Sequence, residues 1–385
     1  MTSDAAPGAE PSEFMRLALE EADAALGTTS PNPAVGAVVV RDGRVVGRGR
    51  TQPPGGPHAE VMALRGAGGA ARGATAYVTL EPCAHHGRTP PCTHALIEAG
   101  VVAVRYALVD PDAHVAGAGH ARLEAAGIAV EPGDGAKQSA RLLEGYLKHR
   151  RTERPAAVVK FAASLDGRIA ASSGDSRWVS GPETLRWAHR NRPKLDAIVV
   201  GSDTVIVDNP RLTARPEGVE GPVHQPLRIV LDSRGRISPT AHVLDGGSPS
   251  LVATTAASSA GWRATIEARG AEVVQLPEAD AHVDLEALLR ELGRRGLLTV
   301  LFEGGGRVLG SLFDARLVDR VQAVIAPIII GASDAPSAVA GRGVERMAQA
   351  PRLRDIEVTR LGEDVLIEGV PVWPEELAND IITNR

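Results

Sequence analysis

The 385 residues contain two cysteines, Cys83 and Cys92, and both fall in one short stretch. Upstream stands His58-Ala59-Glu60. One imidazole and two thiolates make a three-ligand set for Zn²⁺ that leaves the fourth tetrahedral position open to water. Zinc lowers the pKa of such a water to about 7. Glu60, two residues from His58, can take up and return protons without itself being a ligand. These residues point to zinc-assisted hydrolysis, with His58, Cys83 and Cys92 as ligands and Glu60 as the acid–base group.

A His-x-Glu followed at a distance by Pro-Cys and a second Cys is a signature of zinc-dependent nucleobase deaminases. That signature has two residues between its cysteines. Here the longer Ala84-His85-His86-Gly87-Arg88-Thr89-Pro90-Pro91 intervenes. His85 and His86 are therefore rival ligands, although soft thiolates suit zinc. A closed structural zinc site and a pair of inert buried thiols are the alternatives, and neither accounts for Glu60.

The hydropathy pattern around these residues reads as two α/β domains. Residues 1–11 read as a disordered tail. Ser12 caps a helix over 13–26. Runs 34–40 and 44–47 form a hairpin through Asp42-Gly43. A helix follows His58, then a strand over 74–80, a helix over 93–99, a strand over 101–109, a helix over 120–126 and a strand over 128–131. A helix over 136–149 ends in Lys148-His149-Arg150-Arg151, read as a solvated helix end. This layered domain spans 12–150. A second series, 151–372, has strands at 157–161, 197–200, 227–231, 251–253, 272–275 and 299–303, with helices over 182–192 and 285–294. Late runs at 317–330 and 355–370 read as an antiparallel edge. Residues 373–385 form a C-terminal tail.

Composition narrows the class. Hydrophobic residues at 43% and charged residues at 23% are those of a globular chain, which excludes wholesale disorder. The net charge of −5 disfavours a bulk electrostatic grip on nucleic acid. The best apolar run, 321–331, is too short to span a bilayer. The N-terminus has no apolar signal region. A soluble cytoplasmic protein acting on small molecules is expected, with neither nucleic acid nor membrane as partner.

Three segments of the first half resemble one family: Ser30-Pro31-Asn32-Pro33-Ala34-Val35-Gly36, His58-Ala59-Glu60-Val61, and the run from Thr79-Leu80-Glu81-Pro82-Cys83 to Cys92. They look like the deaminase domain of the bifunctional riboflavin-biosynthesis deaminase/reductases, whose own pattern includes the long inter-cysteine loop. In the second half, Lys160-Phe161-Ala162-Ala163-Ser164-Leu165-Asp166-Gly167, Gly174-Asp175-Ser176-Arg177-Trp178, Asp208-Asn209-Pro210-Arg211-Leu212-Thr213-Ala214-Arg215 and Phe302-Glu303-Gly304-Gly305-Gly306 resemble its reductase domain. The resemblance covers about residues 13 to 372. It implies a cytidine-deaminase-like three-layer α/β/α domain followed by a dihydrofolate-reductase-like α/β domain, with zinc in the first and NADPH in the second. It also implies two steps: hydrolytic deamination of 2,5-diamino-6-(5-phosphoribosylamino)pyrimidin-4-one, then reduction of the ribosyl group of the product to ribityl.

The resemblance assigns further residues. Asn32, His85 and Arg88 match substrate contacts in the first domain, Arg88 facing a phosphate. Ser176, Arg192, Leu212, Arg215 and Glu303 match substrate contacts in the second. Ala162, Trp178, Thr204, Asp208 and Ser233 match cofactor contacts, with Gly305, Gly306, Arg307, Val308, Leu309, Gly310 and Ser311. This last run follows a strand and opens a helix, where bare backbone amides can cradle a phosphate. A tight strand-to-helix turn is the plainer reading of the same glycines. Two departures stand out: Thr51 replaces a family histidine, and Asp112-Ala113-His114 replaces an Asn-Pro stretch. Competing readings are a nucleic-acid or nucleoside deaminase with an accessory nucleotide-binding domain, a zinc-stabilised binding protein, and a deaminase with a degenerate reductase. A homo-oligomer is compatible with the sequence.

Overall fold

The computed structural model describes residues 10–85, 90–112 and 116–376. The chain divides into two compact units, Met1–Arg154 and Pro155–Arg385.

The first unit contains α1 (Glu13–Asp23), β1 (Gly36–Arg41), β2 (Arg44–Arg50), α2 (Ala59–Ala67), β3 (Thr75–Val78), α3 (Cys92–Ala99), β4 (Ala103–Tyr106), α4 (Ala118–Ala125), β5 (Ala129–Pro132), α5 (Ala136–Leu142) and α6 (Glu144–Thr152). Its 5-stranded sheet has the order β2-β1-β3-β4-β5. The β1–β2 hairpin is antiparallel, and β3, β4 and β5 run parallel to one another. Strand alternation divides the faces. Val38, Val40 and Tyr77 pack with Met15 and Ala18 of α1. On the other face, Gly49 gives α2 room, since a Cβ there would lie 2.4 Å from the Ala59 carbonyl. Helix, sheet and helix make three layers. The single helix expected over 136–149 is two, broken at Leu143.

The second unit runs β6 (Ala156–Ser164), α7 (Pro182–Asn191), β7 (Ala197–Gly201), α8 (Ser202–Asp208), β8 (Leu227–Leu231), β9 (Ser250–Thr254), α9 (Ala260–Glu267), β10 (Glu272–Gln275), the small pair β11 (Glu278–Ala279) and β12 (His282–Val283), α10 (Leu285–Arg294), β13 (Thr299–Phe302), α11 (Gly306–Asp314), β14 (Arg320–Ala326), β15 (Arg352–Leu361) and β16 (Asp364–Val372). Its 9-stranded sheet has the order β10-β9-β8-β7-β13-β6-β14-β16-β15. The central strands are mostly apolar, because both faces are covered, with Lys160 on β6 and Arg228 on β8 as charged exceptions. Val199, Ile229, Leu251 and Phe302 meet α10 and α11 on one side, through Leu288, Leu292, Leu309 and Leu312. Ile198, Val200, Val230 and Val252 meet Val205 of α8 and Ile266 of α9 on the other.

The late runs form the antiparallel edge that the sequence suggested: β14 joins the sheet in parallel with β6 and pairs antiparallel with β16. The second run is not one strand but the β15–β16 hairpin, turning at Gly362, whose φ is 65. The glycine breaks the run because it takes the left-handed conformation that other residues avoid.

Candidate active sites

In the first unit, two helix N-termini converge. His58 is the extended residue that precedes α2, and Glu60 lies in its first turn. Cys92 is the first residue of α3. The Cys92 amide donates to Cys83 Sγ at 3.3 Å. His58 Nδ1 lies 3.2 Å from Cys92 Sγ and 3.7 Å from Cys83 Sγ. The ligand atoms of His58, Cys83 and Cys92 all fall within 4.8 Å of one another. A neutral imidazole and two thiolates make a donor set that fits zinc, and the helix N-termini beside them favour the thiolate form. Exposed His85 is not in this cluster, and its rival His86 lies outside the described residues.

The electrostatics suit a metal-binding centre. Cys83 is held down at about 4, chiefly by the hydrogen bond with Cys92, against its burial and with help from His58. Cys92, the deeper thiol, is pushed up by that same bond and by burial. The bond with Cys83 raises His58 against the opposing effect of burial. Glu60, 5% exposed, is raised to about 7 by burial and then by the charge on Cys83. A carboxyl with that pKa both accepts and donates a proton near neutrality.

The place of Glu81 in the motif implies no role, and the structure supplies one. Its carboxylate accepts N–H bonds from Asp110, Gly117, Gly119 and His120, which ties the start of α4 to the turn before Cys83. Gly119 presses so closely that a Cβ there would lie 1.9 Å from the Pro82 carbonyl. Thr51, in the place of the family histidine, accepts the Val35 amide at 3.1 Å and so holds the strand that follows Asn32. Asn32 is half-buried and its amide donates to the Thr29 carbonyl at 2.8 Å. Arg88 lies outside the described residues, as do Ala113 and His114. Arg150 is not merely a solvated helix end. It reaches the Pro31 carbonyl at 3.4 Å and lies over the Tyr146 ring.

In the second unit the named residues gather at the carboxyl ends of β7, β8 and β13. Strand order reverses between β7 and β13, the switch point where open α/β sheets bind ligands. Glu303 follows β13 directly and accepts Arg192 Nη2 at 2.7 Å. Arg192 Nη1 also donates to the Thr213 carbonyl at 3.1 Å. Half-buried Lys160 stands near this pair: burial lowers its pKa, against the pull of Glu303. Burial would raise Glu303, but Arg192 and Lys160 prevail and hold it low. Ser176 donates to Asp208 Oδ1 at 2.9 Å, and Arg177 to the Asp208 carbonyl at 2.7 Å. Thr204 and Asp208 lie one turn apart on α8. Thr204 Oγ1 is 3.6 Å from where a Cβ on Gly305 would sit.

The glycine run plays two parts. Leu309 N–H makes a bond of α11 to the Gly305 carbonyl at 3.2 Å, so the amides of Gly306, Arg307 and Val308 precede that bond. They form an N-terminus fit for a cofactor phosphate. Gly306 and Gly310 also meet a packing need. A Cβ on Gly310 would lie 2.2 Å from the Ala340 carbonyl, and one on Gly306 2.3 Å from that of Ser337. The side chains of Leu309 and Leu212 point into the two cores, so only their backbones are free for ligand. Trp178, Arg307 and Ser311 are exposed, and Ala162 is half-buried on β6 opposite Val324. Ser233 Oγ accepts the Val283 amide at 3.0 Å. Arg228, fully buried, was not anticipated. It binds the Arg211 carbonyl, Asp245 and the Ser248 carbonyl, and so fixes the segment that carries Leu212 and Arg215.

Comparison with known proteins agrees with both units. Residues 9–108 match the cytidine and deoxycytidylate deaminase zinc-binding region, and residues 155–367 match the RibD C-terminal domain. The riboflavin biosynthesis protein RibD of Escherichia coli is 41% identical over 363 residues, 92% of this chain and 97% of that protein. That of Mycobacterium tuberculosis is 41% identical over 358 residues, 92% of this chain and 96% of that protein. Among solved structures, RibD of Acinetobacter baumannii superposes with a TM-score of 0.81 at 37% identity, covering 93% of this chain and 98% of that one. A diaminohydroxyphosphoribosylaminopyrimidine deaminase/5-amino-6-(5-phosphoribosylamino)uracil reductase from Thermotoga maritima gives 0.80 at 33% identity, with coverages of 93% and 98%. Among the described residues, no helix is long and apolar enough to cross a membrane. The chain thus belongs to the RibD family, the bifunctional riboflavin-biosynthesis enzymes that join a zinc-dependent deaminase to an NADPH-dependent reductase.

Proposed function

We propose that the first unit hydrolyses the exocyclic amine of 2,5-diamino-6-(5-phosphoribosylamino)pyrimidin-4-one. The second unit then reduces the ribosyl chain of the resulting 5-amino-6-(5-phosphoribosylamino)uracil to ribityl. The observation that carries this reading is the meeting of His58, Cys83 and Cys92 within 4.8 Å, beside a buried Glu60 raised to about 7. The name of the Thermotoga maritima relative supports the choice of substrates.

His58, Cys83 and Cys92 hold the zinc, which when bound supplies a Lewis acid and lowers the pKa of water to about 7. Glu60 takes the proton released from water and returns it to the ring nitrogen and the departing ammonia. Asn32, His85 and Arg88 hold the pyrimidine and its ribose phosphate. In the second unit NADPH supplies the hydride. The N-terminus of α11, with Ala162, Trp178, Thr204, Asp208 and Ser233, binds the cofactor. Ser176, Arg192, Leu212, Arg215 and Glu303 receive the substrate, with cationic groups for its phosphate.

The test is a coupled assay on zinc-loaded enzyme with the diaminopyrimidine ribotide and NADPH. Oxidation of NADPH is expected with the wild type. It should vanish in Glu60→Ala and return when the deaminated intermediate is added. If neither substrate supports oxidation, the reductase assignment falls. Ammonia release by Glu60→Ala at the wild-type rate would overturn the role of Glu60.

A further inference from the structure

His189 lies in the last turn of α7, three residues before Arg192. Its Nε2 is 3.4 Å from Nη2 of Arg215, at the long end of hydrogen bonding. Its Nδ1 is buried, and a hydrogen bond to the backbone of Thr213 also acts on the ring, opposing the fall of its pKa. The two arginines nearby differ in their partners. Arg192 is paired with Glu303 at 2.7 Å. Arg215 has no ion pair among the described residues, and the ring of His189 is the side chain it meets.

We propose that His189 is a positioning residue of the reductase site, holding the Arg215 guanidinium toward the substrate phosphate through a neutral acceptor. A carboxylate at this place would orient Arg215 as well, but it would neutralise the charge that an incoming phosphate needs. A neutral imidazole orients without discharging. Burial first, and then the charges of Arg192 and Arg215, hold the pKa of His189 down at about 4. The ring is therefore neutral at physiological pH, with Nε2 presenting its lone pair to Arg215 and the proton on Nδ1. A histidine held neutral can accept at this spot without cancelling the charge of the cations around it. The inference rests on the assignment of Arg215 to the substrate phosphate.

The test uses the full-length zinc-loaded enzyme, the deaminated ribotide and its dephosphorylated analogue. In His189→Leu, KM for the phosphorylated substrate should rise about tenfold, as for loss of one hydrogen bond to a charged group. The values of kcat and of KM for NADPH should not change, and neither should KM for the dephosphorylated analogue. His189→Gln, whose Oε1 is a neutral acceptor, should restore KM for the ribotide. A variant that loses kcat and NADPH affinity together, with glutamine no better than leucine, would mark a structural residue and overturn the proposal. Arg215→Ala separates this claim from the one beneath it. If Arg215→Ala raises KM for the ribotide and His189→Leu does not, the role of His189 is refuted while that of Arg215 stands. If Arg215→Ala leaves KM unchanged, the assignment of Arg215 fails, and the inference falls with it.

Discussion

Replacing Glu81 by glutamine removes one charge and almost no volume, yet four N–H groups depend on it, two of them buried and two partly buried. The carboxylate is 3% exposed. Oε2 accepts from Asp110 at 3.3 Å and Gly117 at 3.0 Å, and Oε1 from Gly119 at 2.9 Å and His120 at 3.1 Å. An amide keeps one oxygen and turns the other position into a donor facing two donors. Each buried donor left without an acceptor costs about 1–3 kcal/mol. Loss of the negative charge at the N-terminus of α4 adds about 0.5 kcal/mol. We expect Glu81→Gln to destabilise the first unit by about 3–5 kcal/mol and to weaken zinc retention, because Pro82-Cys83 is held by the same bonds. The chain offers a clean readout. Its tyrosines, Tyr77, Tyr106 and Tyr146, lie in the first unit, and its tryptophans, Trp178, Trp187, Trp262 and Trp373, in the second. Urea unfolding followed by tyrosine near-ultraviolet dichroism should show an earlier transition, while tryptophan fluorescence should not move. A first-unit transition within about 1 kcal/mol of wild type would refute the reasoning, since that is what one ordinary hydrogen bond is worth.

Other outcomes follow from the same structure. Chelation of zinc should abolish ammonia release but spare NADPH oxidation on the deaminated intermediate; loss of both activities would contradict separate chemistries. Gly310→Ala should destabilise the second unit by about 2 kcal/mol or more, because its Cβ would meet the Ala340 carbonyl at 2.2 Å; an unchanged tryptophan-monitored transition would count against that packing. His189 has a folded pKa of about 4, below the ordinary histidine value of about 6.5. Between those values the unfolded chain binds the proton and the folded one does not. The second unit should therefore lose stability as pH falls from about 6.5 to about 4, and His189→Gln should lessen that slope in pH-dependent urea unfolding.

The sequence carried the chemistry of the first unit well because chemistry needs particular residue types. Cys83, Cys92, His58 and Glu60 stood out by residue type and by the His-x-Glu and Pro-Cys pattern, although the long stretch between the cysteines left His85 and His86 as rivals. The apolar runs of β8, β9 and β13 were equally plain, since strands covered on both faces leave little choice of residue. What stayed hidden was non-local. Glu81 has no visible task until residues 110–120 return to its carboxylate. Arg228 reads as a charge interrupting a strand, not as the anchor of a loop. Thr51, which stands where the family has a histidine, has a task only through its hydroxyl on Val35, 16 residues away. The short helix α8 exposes Ile206 and Val207, so its apolar residues mark no single face. The glycines before and within α11 read as a phosphate cradle, whereas contacts with residues 337–340 also require two of them.

Strand β15 ends the nine-stranded sheet, and along its ten residues the outer backbone edge meets no further strand among the described residues. Ile356 and Val358 are 56% and 66% exposed there. An open edge with aliphatic side chains is a template on which other chains can add indiscriminately. The register shift between Arg354 and Glu357, with Asp355 at a φ of 50, spoils the template's regularity. Arg352, Arg354, Asp355, Glu357 and Arg360 surround the aliphatics with charge. The strand is thus guarded against aggregation by features that touch neither reaction. Its sequence answers to the crowded cell, and substitutions there would first be felt in solubility rather than in turnover.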